Sequence, residues 1–140
     1  MTAITVTAAQ VAMVDPMKCK TRTVIAAVAL TKGQLAYINT SGKADLADAN
    51  GSGTKQFRGI VLNTVGAGEA VTLLQDGDVY GFGVSALNAD ALVYLSNTAG
   101  GLDTAAGSTT VAVGRVVCLT DSPTLTKVLN IFIRPSADWS

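Results

Sequence analysis

The sequence predicts an all-β fold, a compact antiparallel β-barrel or β-sandwich with an extended N-terminal arm. The main observation is the stretch 56–95, where short runs of Val, Leu, Ile and Tyr are cut at near-regular intervals by Gly and Asp-Gly. Consecutive strands joined by tight turns have that pattern. A second observation is negative: no amphipathic helical pattern of about twelve residues or more runs along the chain. The third is size, since 140 residues suffice for one core that buries roughly two-thirds of the unfolded surface without metal or disulfide support. The expected organisation is an arm over residues 1–22, the β-domain over 23–135 and a short tail over 136–140.

In the arm, the apolar residues Ile4, Val6, Val11 and Met13 are interrupted by Thr and Ala, and Asp15-Pro16 breaks any regular element. Two placements satisfy them: an edge strand on the domain's own sheet, or a contact on a neighbouring subunit. Lys18, Lys20 and Arg22 follow where the arm joins the domain. The β-branched and Ala-rich run 23–30 is expected as a buried strand ended by a Thr31-Lys32-Gly33 turn, with a further strand over 34–38. Residues 44–49 alternate imperfectly and lead into the polar loop Asn50-Gly51-Ser52-Gly53-Thr54.

Strands are next expected over 57–64 and 69–74, and Asp76-Gly77 is the strongest hairpin signal, sending the chain back over 79–84. On that returning strand Val79 and Phe82 are expected on opposite faces, while Gly81 and Gly83 permit close backbone approach or a bulge. A strand over 91–95, a long exposed polar loop over 96–110 and two last strands over 111–119 and 126–133 complete the domain. Trp139, the lone tryptophan, is expected to pack on this subunit or its neighbour, because a fully solvated indole wastes its apolar area.

Charge and hydropathy narrow the function classes. Charged residues make up 14% of the chain against about 25% in an ordinary soluble domain, and mean hydropathy is +0.40. Something besides solvent is therefore expected to cover part of the surface. A membrane crossed by a helix is not that cover, because the longest apolar run, 24–30, falls far short of the roughly 20 residues such a helix needs. The N-terminal residues lack the basic region of a signal peptide, so the chain is expected to be unexported and made in the cytoplasm. A net charge of zero offers nucleic acid no electrostatic footprint. The charge is divided, with six cations and three anions in residues 1–55 and four cations and seven anions in 56–140. Opposed halves of this kind suit head-to-tail subunit contacts, although the difference is small.

The chemistry of catalysis is missing from the composition. There is no histidine, which removes the commonest general base, the usual metal ligand and every Ser-His or Cys-His pair. Cys19 and Cys118 have no second Cys or His at metal or redox spacing and are expected as unpaired small apolar fillers. Ser41-Gly42-Lys43 and Gly66-x-Gly68 lack the rest of a phosphate-binding pattern. Asp45, Asp48 and Asn50 lack the alternate spacing and closing glutamate of a calcium loop, and Asp76 and Asp78 are expected to flank a solvated turn. No catalytic residue, cofactor or metal is expected, and the candidate interface comprises Ile4, Val6, Val11, Met13, Lys18, Lys20, Arg22 and Trp139.

The order of motifs carries a resemblance. Thr31-Lys-Gly-Gln-Leu-Ala-Tyr37 precedes a strand, then come Phe57-Arg-Gly-Ile-Val-Leu-Asn63, Gly68-Glu-Ala-Val-Thr-Leu-Leu-Gln-Asp-Gly-Asp-Val79, Ala91-Leu-Val-Tyr-Leu-Ser96 and Val113-Gly-Arg-Val-Val117. This order, over residues 24–133, resembles that of the small capsid decoration, or cement, proteins of tailed bacteriophages. The resemblance implies a β-rich protein that binds the major capsid protein on the outside of an assembled head, as a homotrimer, and stabilises the head against internal DNA pressure. Its place would then be the virion's outer surface. A tail or head-fibre subunit shares the same composition and stays open as an alternative, as does a carbohydrate-binding module, for which few aromatic residues are available.

Overall fold

The computed structural model describes residues 3–51, 53–119 and 127–133. Its strands are β1 (Ala12–Met13), β2 (Lys20–Ile25), β3 (Leu35–Ile38), β4 (Ala44–Leu46), β5 (Gly59–Val61), β6 (Ala70–Tyr80), β7 (Leu92–Leu95), β8 (Leu102–Asp103), β9 (Ala112–Cys118) and β10 (Lys127–Phe132). The described helical residues are two short 3-10 turns, Ala8–Gln10 and Pro16–Lys18. The protein is all-β, as its alternating apolar runs predict.

β6 is the branch point of the pairing, with four partner strands. One of its edges carries β2 opposite residues 70–76 and β1 opposite 79–80, and the other carries β5 opposite 73–74 and β10 opposite 76–79, all antiparallel. The long path through the sheet runs β4-β3-β5-β6-β10-β9-β7-β8. The sheet curls until its two ends meet through backbone hydrogen bonds. Leu35 N–H donates to Gly100 O (3.0 Å), Gly100 N–H to Ala47 O (2.7 Å), Ala49 N–H to Ser96 O (2.9 Å) and Thr109 N–H to Ala49 O (3.1 Å). The segment expected as an exposed loop over 96–110 is thus the closing seam, with Ser96, Leu102 and Asp103 buried in it.

The Asp76-Gly77 hairpin does not form: both residues lie within the eleven-residue strand β6. The pairing shows why. Lys20 stands opposite Asp76 but Thr21 opposite Leu74, so the register shifts and Gln75 is the extra residue. Gly77 takes φ +136°, and a Cβ there would run into the Cys19 side chain. The glycine therefore serves a bulge and a close approach rather than a turn. The expectation that Val79 and Phe82 face opposite ways also fails, since both belong to the main core. Strand alternation ends at Tyr80, and Gly81, at φ +102°, redirects the chain before Phe82.

Two apolar clusters lie on opposite faces of the β3–β5–β6 region. The main core, inside the curl, includes Leu35, Phe57, Ile60, Leu74, Val79, Leu95, Val116, Leu129 and Ile131. The second holds Ala26, Leu30, Ala36, Ala44, Val61, Val71 and Leu73. Neighbours in sequence, Ile60 and Val61 or Leu73 and Leu74, therefore serve different clusters, and all three residues of β5 are buried. Each fully buried Leu or Ile contributes roughly 1.5–3 kcal/mol.

The buried strand expected over 23–30 is displaced. β2 starts at Lys20, ends at Ile25 and is largely exposed, while Ala26 and Leu30 beyond it are the residues that enter the second cluster. The apolar signal came from a covering segment rather than from a strand.

Candidate interaction surface

The described part of the arm belongs to the domain's own sheet. Ile4 N–H donates to Leu102 O (2.9 Å), Thr7 N–H to Gly81 O (2.9 Å), Gly83 N–H to Thr5 O (2.8 Å) and Val14 N–H to Asp78 O (2.9 Å). Between the two placements open to the apolar arm residues, the chain itself supplies the first. Ile4 and Val11 are buried in the main core, and Val6 and Met13 are half-buried against it. These four are corrected from interface candidates to core and core-margin residues, because their side chains point inward from the added edge. Gly81 makes this possible: a Cβ there would lie 2.9 Å from both the Cα and the N of Val11. The close approach expected at Gly81 is therefore present.

Lys18, Lys20 and Arg22 are exposed. Among the described residues the ion pair is Arg115–Asp90, at 3.6 Å, and none of the three arm cations is paired with a described carboxylate. Lys18 ends the 3-10 turn that Asp15 caps by accepting from Met17 N–H (3.2 Å), and Lys20 and Arg22 lie on β2. β2 pairs on one side with β6, and among the described residues no strand pairs with its other side. A free edge carrying two cations is protected against indiscriminate strand pairing while its outward backbone groups stay available. Trp139 lies outside the described residues.

Residue types alone did not single out several large exposed apolar side chains. Met17 is 96% exposed, Phe132 61%, Ile25 43% and Tyr80 40%. Phe132 was detectable by alternation: Leu129 and Ile131 face the core, so Phe132 has to face out. Met17 and Ile25 flank the cations in a largely exposed stretch, 17–25, from which Cys19 and Val24 turn toward the two clusters.

Two concavities adjoin the arm, the first of them at this edge. One, of about 200 Å³, is lined by Asp15, Lys18, Cys19, Asp76, Gly77, Asp78 and Asn130. Asp78 accepts a hydrogen bond from Asn130 Nδ2 (2.7 Å) across the β6–β10 pair, so it is a strand residue with a fixed partner and not part of a solvated turn. Burial pushes the Cys19 thiol pKa up, and the charges of Asp15 and Asp78 add to that, against the hydrogen bonds from the backbone of both residues. A thiol so placed is a poor nucleophile at neutral pH. Cys19 and Cys118 are both free thiols. Among the described residues no group of three or more His, Cys, Asp or Glu is arranged to hold a metal. Asp48 instead caps its own loop, accepting from Asn50 N–H (2.9 Å) and, more distantly, from Thr54 Oγ1 (3.4 Å).

The other concavity, about 500 Å³, is an open groove between arm residues Thr5, Thr7 and Gln10 and the segment Tyr80-Gly81-Phe82-Gly83, with Lys127 at its side. Among the described residues no helix is long and apolar enough to cross a membrane. In comparisons with known proteins, the chain matches no protein-family model and no curated protein.

Proposed function

We propose that this chain is a capsid decoration protein, binding the major capsid protein on the outer surface of an assembled phage head as a homotrimer and stabilising it without carrying out a reaction. The observation that carries the reading is the order of motifs over residues 24–133, which resembles that of the decoration family. An all-β domain with a free, basic edge strand supports it, because such a domain offers backbone and charge to a partner. The contact surface is the stretch Met17 to Ile25, with Lys18, Lys20 and Arg22 as its charged residues.

The test is co-sedimentation with preassembled, expanded shells. Binding is expected to saturate on shells, to be absent with unassembled capsid subunits and to weaken as salt rises. Reversing Lys18, Lys20 and Arg22 to Glu together is expected to weaken attachment by about tenfold or more while leaving the melting temperature of the free protein nearly unchanged. Equal binding to unassembled subunits, or none to shells, overturns the reading. Open-ended polymerisation of the protein alone identifies a tail or fibre subunit instead.

A further inference from the structure

The groove of about 500 Å³ between residues 5–10 and Tyr80–Gly83 is lined mainly by neutral groups. Its lining contains no carboxylate. Its one cation, Lys127, keeps its charge but directs Nζ at two backbone carbonyls, Leu87 O (2.6 Å) and Ser85 O (3.3 Å). The other polar and aromatic groups in the lining are neutral: the hydroxyls of Thr5 and Thr7, the amide of Gln10 and the partly exposed Tyr80. Thr5, Thr7 and Gln10 are exposed, and their side chains make no hydrogen bond within the described protein. Gly81 and Gly83 lie in its lining beside the tyrosine.

An open groove with a half-exposed aromatic residue in its lining, several unspent neutral hydrogen-bonding groups, no carboxylate and one lysine already directed at two carbonyls suits a ligand that is itself uncharged, flat on one side and rich in hydroxyls. A pyranose ring has those properties: its axial C–H face packs on an aromatic ring, and its hydroxyls pair with hydroxyl and amide side chains. The volume of about 500 Å³ lies in the range of small-molecule sites, with room for more than one such ring. We infer that the groove between residues 5–10 and Tyr80–Gly83 binds a neutral oligosaccharide, with Tyr80 as its stacking platform and Thr5, Thr7 and Gln10 as its hydrogen-bonding rim. The site is separate from the basic edge strand and does not rest on the capsid reading, because none of Lys18, Lys20 and Arg22 lines it.

The experiment is an array of neutral, sialylated and uronic-acid oligosaccharides probed with the full chain, followed by titration calorimetry with the neutral oligosaccharide that gives the strongest signal. Binding to neutral members alone is expected. Tyr80→Ala is expected to lower affinity about tenfold or more, while Tyr80→Phe retains most of it. If Tyr80→Ala does not fold, the exposed pair Thr7→Ala and Gln10→Ala is the substitute, with a smaller loss expected. No binding on the array, binding confined to acidic glycans, or neutral-glycan binding untouched by these substitutions overturns the assignment. Loss of shell attachment in Tyr80→Ala with no glycan bound by the wild type likewise overturns it, assigning the groove to a protein contact.

Discussion

Gly77 and Cys19 show how a correct local signal leads to a wrong element. Asp-Gly is favoured wherever the backbone needs positive φ, and Gly77 does hold φ +136°, but within a strand rather than at its end. What the residues could not disclose is the neighbour, a cysteine from β2's approach that occupies the space a side chain would need. Gly77→Ala is therefore expected to destabilise the fold by about 1 to 3 kcal/mol through backbone strain and the collision with Cys19. Adding Cys19→Ala is expected to recover part of the loss, with a coupling of about 0.5 kcal/mol or more in a denaturation cycle. Strict additivity would mean that the two residues do not meet. The same limit hid the exposed residues of the candidate surface: Met17, Ile25 and Tyr80 read as ordinary apolar positions until the fold shows that nothing covers them.

Among elements, alternation located most of the strands but not their partners. The strands at Leu35–Ile38, Leu92–Leu95, Ala112–Cys118 and Lys127–Phe132 lie within the ranges that period-two patterning marks. The arm was ambiguous because Ile4, Val6, Val11 and Met13 satisfy an own-sheet or a neighbouring-sheet placement equally well by pattern. Only hydrogen bonds such as Ile4 N–H to Leu102 O distinguish the two. Since Ile4 and Val11 are core residues, deleting residues 1–14 is expected to lower the melting temperature of the free protein and broaden its unfolding, and Ile4→Ala alone to cost about 2 kcal/mol or more. Thermal denaturation followed by circular dichroism measures both. An unchanged melting temperature in the deletion would show the arm to be dispensable for the fold. The basic segment at Lys18 to Arg22 was legible as charge, but not as the beginning of a strand with one free edge.

At the scale of the whole molecule, the described residues close the sheet without a strand pair. β4 and β8 stand at the two ends of the sheet's order, and the gap between them is bridged by single backbone bonds at Leu35, Ala47, Ala49, Ser96, Gly100 and Thr109. A ladder loses its bonds together, whereas isolated bonds can be lost one at a time. In native-state hydrogen exchange, the amides of Ala49, Gly100 and Thr109 are therefore expected to exchange well before those of Leu73, Leu74 and Val79 in β6. Equal protection would show the seam to be as cooperative as the strands. The seam also has a kinetic consequence. It joins segments far apart in the chain, so its loop-closure entropy is met late in folding, after pairing around β6 has formed an open sheet. During that interval Leu35 and Leu95 lack their final cover, and two half-curled chains can take the place of one closed chain. Dilute refolding should therefore yield closed molecules, and concentrated refolding should lose them to association in proportion to how slowly the seam shuts.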